Sequence, residues 1–184
     1  MSKILVDTID TRSGTSTLTL GSSNAGTIAL GSGDVQSNFL YPAFEAYLSA
    51  DQSISDNTVT KAQFNTERFD TNSMYDNSSN YRWTPTVAGK YFVYANLQLQ
   101  TGDYKIYVAT TYIYKNGSAY ALSNTTSADN TIFAHPVTIN ATIDMNGSSD
   151  YIEIYGLLAA HGGSGQHFES SNKNSYFGAY RIGT

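Results

Sequence analysis

The densest concentration of reactive side chains lies near the carboxyl end, where His161 and His167 flank the loop Gly162-Gly-Ser-Gly-Gln166. Imidazole ligates Zn, Ni, Cu or Fe, and chains meeting at a symmetry axis would bring several such rings together. A separation of six residues matches no familiar ligand spacing, and lone surface histidines are common. His161-Gly-Gly-Ser-Gly165 has the look of an oxyanion loop, but an esterase of that kind needs a Gly-x-Ser-x-Gly elbow between a strand and a helix. The chain contains no such elbow. Paired acids for sugar cleavage could be drawn from Asp103, Asp129, Asp144, Asp150, Glu153 or Glu169, yet these are scattered and no pair stands out. The chain is therefore expected to be non-catalytic and to require no cofactor.

Binding is the better use of these residues. Segments 49–58, 100–104, 123–130 and 160–174 are rich in Ser, Gly, Asn and Tyr, which give adaptable hydrogen bonds and rigid contact area at low entropic cost. Loops on a rigid scaffold are where recognition usually resides. The contact residues expected from them are His161, Gln166, His167 and Phe168, with Asp103 and Tyr104 from the second segment. The alternative is that these segments are only the turns of a structural head.

The elements that must position such loops are strands. Hydrophobic residues make up 40% of the 184 residues and aromatics 13%, with Tyr 15 against Trp 1, while charged residues reach 14%. Surfaces of this chain are thus polar but mostly uncharged, the composition of short strands joined by tight turns. In 90–100, Tyr91, Val93, Ala95, Leu97 and Leu99 alternate with Tyr94, Asn96, Gln98 and Gln100, as in a half-buried central strand. Asn116-Gly117 between alternating runs predicts a tight hairpin. Val137, Ile139, Ala141, Ile143 and Met145 alternate likewise, and Asn146-Gly147 predicts a second hairpin into 151–158. A short first strand covers 44–48, and the last, 175–182, is expected to close the sheet beside it.

Residues 1–40 read differently. They lack aromatics until Phe39, and Thr17-Leu-Thr-Leu20-Gly-Ser22 aligns with Thr27-Ile-Ala-Leu30-Gly-Ser32 at a spacing of ten. Two such strand-and-bend units cannot bury a core alone and become stable by stacking or intertwining with other chains. This segment is expected to be an oligomeric β-repeat stalk or attachment segment, with a flexible linker as the alternative. Residues 41–184 are expected to form one all-β head.

Several partners and locations are disfavoured. A net charge of −5 and a pI near 4.9 argue against nucleic acid. The absence of cysteine removes disulfides and thiolate metal sites. The run after Met1 is too short for a signal sequence, and nowhere do about 18 apolar residues run together, so synthesis in the cytoplasm without membrane insertion is expected.

Ala62-Gln-Phe-Asn65, Tyr75-Asp-Asn77, Tyr81-Arg-Trp-Thr-Pro85 and Ala88-Gly-Lys-Tyr-Phe92 together resemble the opening signature of the complement C1q-like jelly roll, itself similar to the tumour necrosis factor fold. Tyr114-Lys-Asn-Gly117 resembles that family's short hairpin, and 175–182 its terminal strand. The resemblance spans roughly 42–184 and implies a ten-stranded two-sheet jelly roll that associates as a homotrimer with inner-sheet aromatics on the threefold axis. Phe92, Tyr151, Tyr155, Phe177 and Tyr180 are the positions it offers for that packing. It also implies that Ca²⁺ or another metal could sit on the trimer axis, with Asp103 a loop acid of the right kind, although no calcium motif is matched. Ile4-Leu-Val-Asp-Thr-Ile9 and the repeats after it look like the leader of marine-phage tail-fibre and structural proteins. The combined expectation is a trimeric virion fibre or tail protein, assembled in the host cytoplasm. Its first 40 residues would join other virion proteins and its head would bind a host surface glycan or protein. The rivals are a capsid decoration or fibre cap without a ligand, a secreted C1q-like lectin, and a depolymerase.

Overall fold

A computed structural model describes residues 42–102, 106–128, 132–161 and 164–183; the stalk expected over 1–40 lies outside them. Within these residues the chain runs through thirteen strands, β1 (Ala43–Tyr47), β2 (Gln52–Ser53), β3 (Thr60–Lys61), β4 (Thr66–Asp70), β5 (Tyr75–Asp76), β6 (Arg82–Trp83), β7 (Gly89–Gln100), β8 (Ile106–Lys115), β9 (Ser118–Thr126), β10 (Ala134–Met145), β11 (Ile152–Ala160), β12 (His167–Phe168) and β13 (Tyr176–Gly183). A short 3-10 turn, Ser171–Lys173, precedes the last. Five of these are two-residue pairings, so the count exceeds the ten of the resemblance by brief pairings rather than by extra long strands.

Two antiparallel sheets face each other as a jelly roll. In the first, β7 is central: β10 pairs along its whole length on one side, and β12 then β13 pair on the other, followed by β1 and β4, with β2 beside β12. In the second, β9, β8 and β11 lie in order, with β3 and β6 on the far side of β11 and β5 beside β6. Period-two alternation decides what each strand buries. Tyr91, Val93, Ala95, Leu97 and Leu99 are fully buried, as their alternation predicts.

The centre of the core is aromatic. Phe44 stacks on Tyr75 and Trp83 with ring centroids 5.0 and 5.1 Å away, and Phe177 meets it edge-on at 4.8 Å. Rings from β1 and β13 thereby interlock with rings from β5 and β6, joining the two sheets. Of the two polar tips in this stack, the Tyr75 hydroxyl donates to the Phe64 carbonyl at 2.9 Å, whereas the buried Trp83 indole N–H has no hydrogen-bond partner among the described residues.

The Asn116-Gly117 hairpin forms between β8 and β9, with a bulge between Ile113 and Tyr114. The second expected hairpin does not. β10 pairs with β7 and β11 with β8, so Asn146-Gly147 carries the chain from one sheet to the other. The Asn146 carboxamide oxygen accepts the backbone N–H groups of Ser148, Ser149 and Asp150. Asp150 in turn binds Lys115 and Asn116 of the neighbouring turn. A local turn signal is the same for a hairpin and for a corner between layers. β11, buried along most of its length, had to become a central strand. Finally, β13 pairs with β1 as expected, from Ala43 opposite Tyr180 to Tyr47 opposite Tyr176.

Candidate functional site

Three surfaces carry the side chains singled out above. The first is the outer face of the first sheet. Register places Thr142, Phe92, Tyr180 and Ala43 in one row across β10, β7, β13 and β1. Asn140, Tyr94, Gly178, Glu45 and, on β4, Phe69 form the next, and Thr138, Asn96, Tyr176 and Tyr47 the third. Phe92 lies 5.5 Å from Tyr180 and 6.2 Å from Tyr94, and Tyr94 is 6.3 Å from Tyr176. Phe69 is 47% and Tyr180 38% exposed, large values for aromatic rings on a regular sheet face.

A polar network crosses this face. The Tyr94 hydroxyl donates to Glu45 Oε2 at 2.7 Å, and Arg68 Nε pairs with Glu45 Oε1 at 3.0 Å. Burial, then the bond to Glu45, pushes the Tyr94 phenol well above its usual range. Gly178 makes the arrangement possible: a Cβ there would stand 2.4 Å from the Tyr94 hydroxyl. Tyr47 at the rim is flanked by Lys173 and Arg68, 4.8 and 5.6 Å from its ring centre.

Beside this face, among the described residues, β9 is the edge of the second sheet and β10 the edge of the first. The Tyr120 hydroxyl reaches the Thr142 carbonyl at 3.4 Å, linking them. Tyr120 and Leu122 on that edge are 51% and 60% exposed.

The second surface is one end of the sandwich, where segments 49–58, 100–104 and 160–174 meet; the loop expected over 123–130 is corrected, since β9 runs on to Thr126. Backbone bonds run from Thr101 to Phe133, from Gly102 to Ser164, from Ile54 to Gln166 and from Asn57 to Leu158. His161 is exposed and stacks on Tyr107 at 4.6 Å. His167 is engaged elsewhere, with Nδ1 2.8 Å from the Gly165 carbonyl and Nε2 3.7 Å from Asp51. Hydrogen bonds from the Ser170 hydroxyl and N–H hold the Asp51 carboxyl below its usual range. Asp103 and Tyr104 lie outside the described residues. Two expectations are corrected. Phe168 is fully buried, against Gly156 and Leu97, because β12 pairs between β7 and β2 and turns that ring inward. Gln166 is also buried, and its amide donates to Asp56 at 3.4 Å. Among the described residues no three His, Asp or Glu side chains converge as metal ligands.

The third surface is the outer face of the second sheet, and it holds Tyr155, with Tyr151 at its end. Tyr155 lies 4.2 Å from Tyr114, and Tyr151 lies under the Arg82 guanidinium at 4.6 Å. Of the five positions offered for threefold packing, then, Phe92 and Tyr180 share the outer face of the first sheet, while Tyr151 and Tyr155 lie on that of the second. Phe177 is corrected to the core, since it stands opposite buried Ala95 and Ala46. An odd separation of 177 from 180 in a regular strand puts the two on opposite sides. Sequence reasoning missed Tyr94, Tyr176 and Tyr47, although alternation in 90–100 already sets Tyr94 apart from the buried set.

No protein-family model and no curated protein matches the sequence. Solved structures do match. Murine APRIL superimposes with a TM-score of 0.55 at 10% identity, covering 77% of this chain and 98% of that one. The globular domain of zebrafish complement 1qA protein gives 0.53 at 13% identity, covering 77% and 97%. Eiger TNF from S. frugiperda gives 0.52 at 9% identity, covering 77% and 90%. Identities this low carry the fold alone.

Proposed function

We propose, from a chain whose described part folds as a C1q/TNF-like jelly roll, that three copies form the non-catalytic, receptor-binding head of a virion fibre or tail protein. The observation that carries the assembly is the outer face of the first sheet: Phe92, Tyr94, Tyr176 and Tyr180 packed together, with Phe69 and Tyr180 left open to solvent. A closed ring needs two different surfaces on each protomer. The β9 and β10 edge, with Tyr120 and Leu122, supplies a second apolar surface that this face can cover.

Residues 1–40 join the head to other virion proteins, assembled in the host cytoplasm, and three weak sites on one head act together on a host surface by avidity. Light scattering on the purified chain at micromolar concentration tests the reading. A trimer is expected, and Tyr94→Lys with Tyr180→Glu should give a folded monomer. A wild-type monomer would end the assignment. A trimer with no preference among host strains in adsorption assays would instead make it a fibre cap.

A further inference from the structure

The outer face of the second sheet lies on the opposite side of the sandwich from the aromatic face assigned to assembly. Its register sets Lys61, Tyr155, Tyr112 and Leu122 in one row and Glu153 with Tyr114 in the next. The Tyr112 and Tyr155 rings lie 6.0 and 4.2 Å from Tyr114. Glu153 is only 5% exposed. Its Oε1 pairs with Lys61 Nζ at 2.5 Å, while among the described residues Oε2 meets just the Tyr155 hydroxyl, at 3.5 Å. Lys61 Nζ also donates to the Asn80 carbonyl at 3.1 Å, leaving one N–H over.

A buried carboxylate is costly, and an apolar residue of similar size would spare that cost. The core side of β11 is already filled by Ile152, Ile154 and Leu158, so folding does not call for Glu153. A half-used carboxylate oxygen and a spare ammonium N–H, side by side in a cluster of phenol rings, match one chemistry well: vicinal hydroxyls on a ring with apolar C–H faces.

We propose that this face is a platform for a neutral hexopyranose. The Tyr112 ring, set at 76° to Tyr114, lies against the sugar C–H face, Glu153 Oε2 accepts from one hydroxyl, and Lys61 donates to its neighbour. Charge matching favours an uncharged ligand. Lys61 and Glu153 neutralise each other, and a chain with a net charge of −5 repels polyanions. The proposal deepens the receptor-binding part of the preceding reading by naming the ligand class and its place, and it does not require the trimer.

The test is saturation-transfer difference NMR on the full chain with neutral oligosaccharides of glucose, galactose and mannose. Transfer to pyranose ring protons is expected from at least one of them. Glu153→Gln, checked for wild-type circular dichroism, should weaken binding about tenfold or more. Tyr112→Ala should do the same, and His161→Ala should leave binding unchanged. Transfer from no neutral saccharide, transfer that survives Glu153→Gln and Tyr112→Ala, or transfer confined to uronic-acid saccharides overturns the platform. Loss of binding in His161→Ala alone would overturn it while keeping receptor binding, now at the loops. Failure of the whole chain to adsorb to any cell would strike the receptor-binding reading itself.

Discussion

Single residues decide how the exposed aromatic face is held. Gly178 is needed because the Tyr94 ring crosses over it to reach Glu45, 2.4 Å from where a Cβ would stand. Gly178→Ala is expected to swing Tyr94 away and cost about 1–3 kcal/mol, measured as a lower midpoint in urea unfolding. Turn acids act through charge instead. Asp76 accepts the N–H groups of Ser78, Ser79 and Asn80, and these bonds hold its carboxyl well below the usual 3.8. A carboxyl depressed in the folded state stabilises above its unfolded pKa and loses that contribution as pH falls toward the folded one. Melting temperature should therefore fall as pH drops below 3.8, and Asp76→Asn should flatten part of that fall in a pH series of thermal melts.

Strands decide by parity. In β13, Tyr176, Gly178 and Tyr180 face out while Phe177 and Ala179 face the core, so neighbouring aromatics serve unrelated ends. Phe177→Ala should cost about 3–5 kcal/mol of stability, read by chemical denaturation. Tyr180→Ala, on a residue 38% exposed, should cost far less and appear in light scattering as weakened assembly. Local patterns identified the β8–β9 hairpin, where Asn116 at φ 53 and Gly117 at φ 76 take the turn that Asn-Gly favours. They misplaced the connection at Asn146-Gly147, because turn chemistry is set by a few adjacent residues and says nothing about which strand awaits beyond.

At the scale of the whole molecule, the described residues close a core with their own rings and leave an aromatic face uncovered. If copies of the chain cover that face, folding and association are linked, and the melting temperature should rise with protein concentration. In differential scanning calorimetry over a hundredfold concentration range, wild type is expected to shift upward, and Tyr94→Lys with Tyr180→Glu to stay fixed. A wild-type melting temperature independent of concentration would count against association.

The sequence by itself determined the all-β class, the alternation of β7 and β10, the pairing of the last strand with the first, and three of the four expected loops, 49–58, 100–104 and 160–174. Those follow from composition, period and turn chemistry, which are local properties of the chain. Only the tertiary structure decided that Phe168 and Phe177 belong to the core, that β10 and β11 lie in different sheets, and that Tyr94, Tyr176 and Tyr180 meet on one face while Glu153 lies among other tyrosines. The physical reason is that alternation separates two faces without saying which is buried, and strand partners far apart in the chain choose each other through packing that no local window contains.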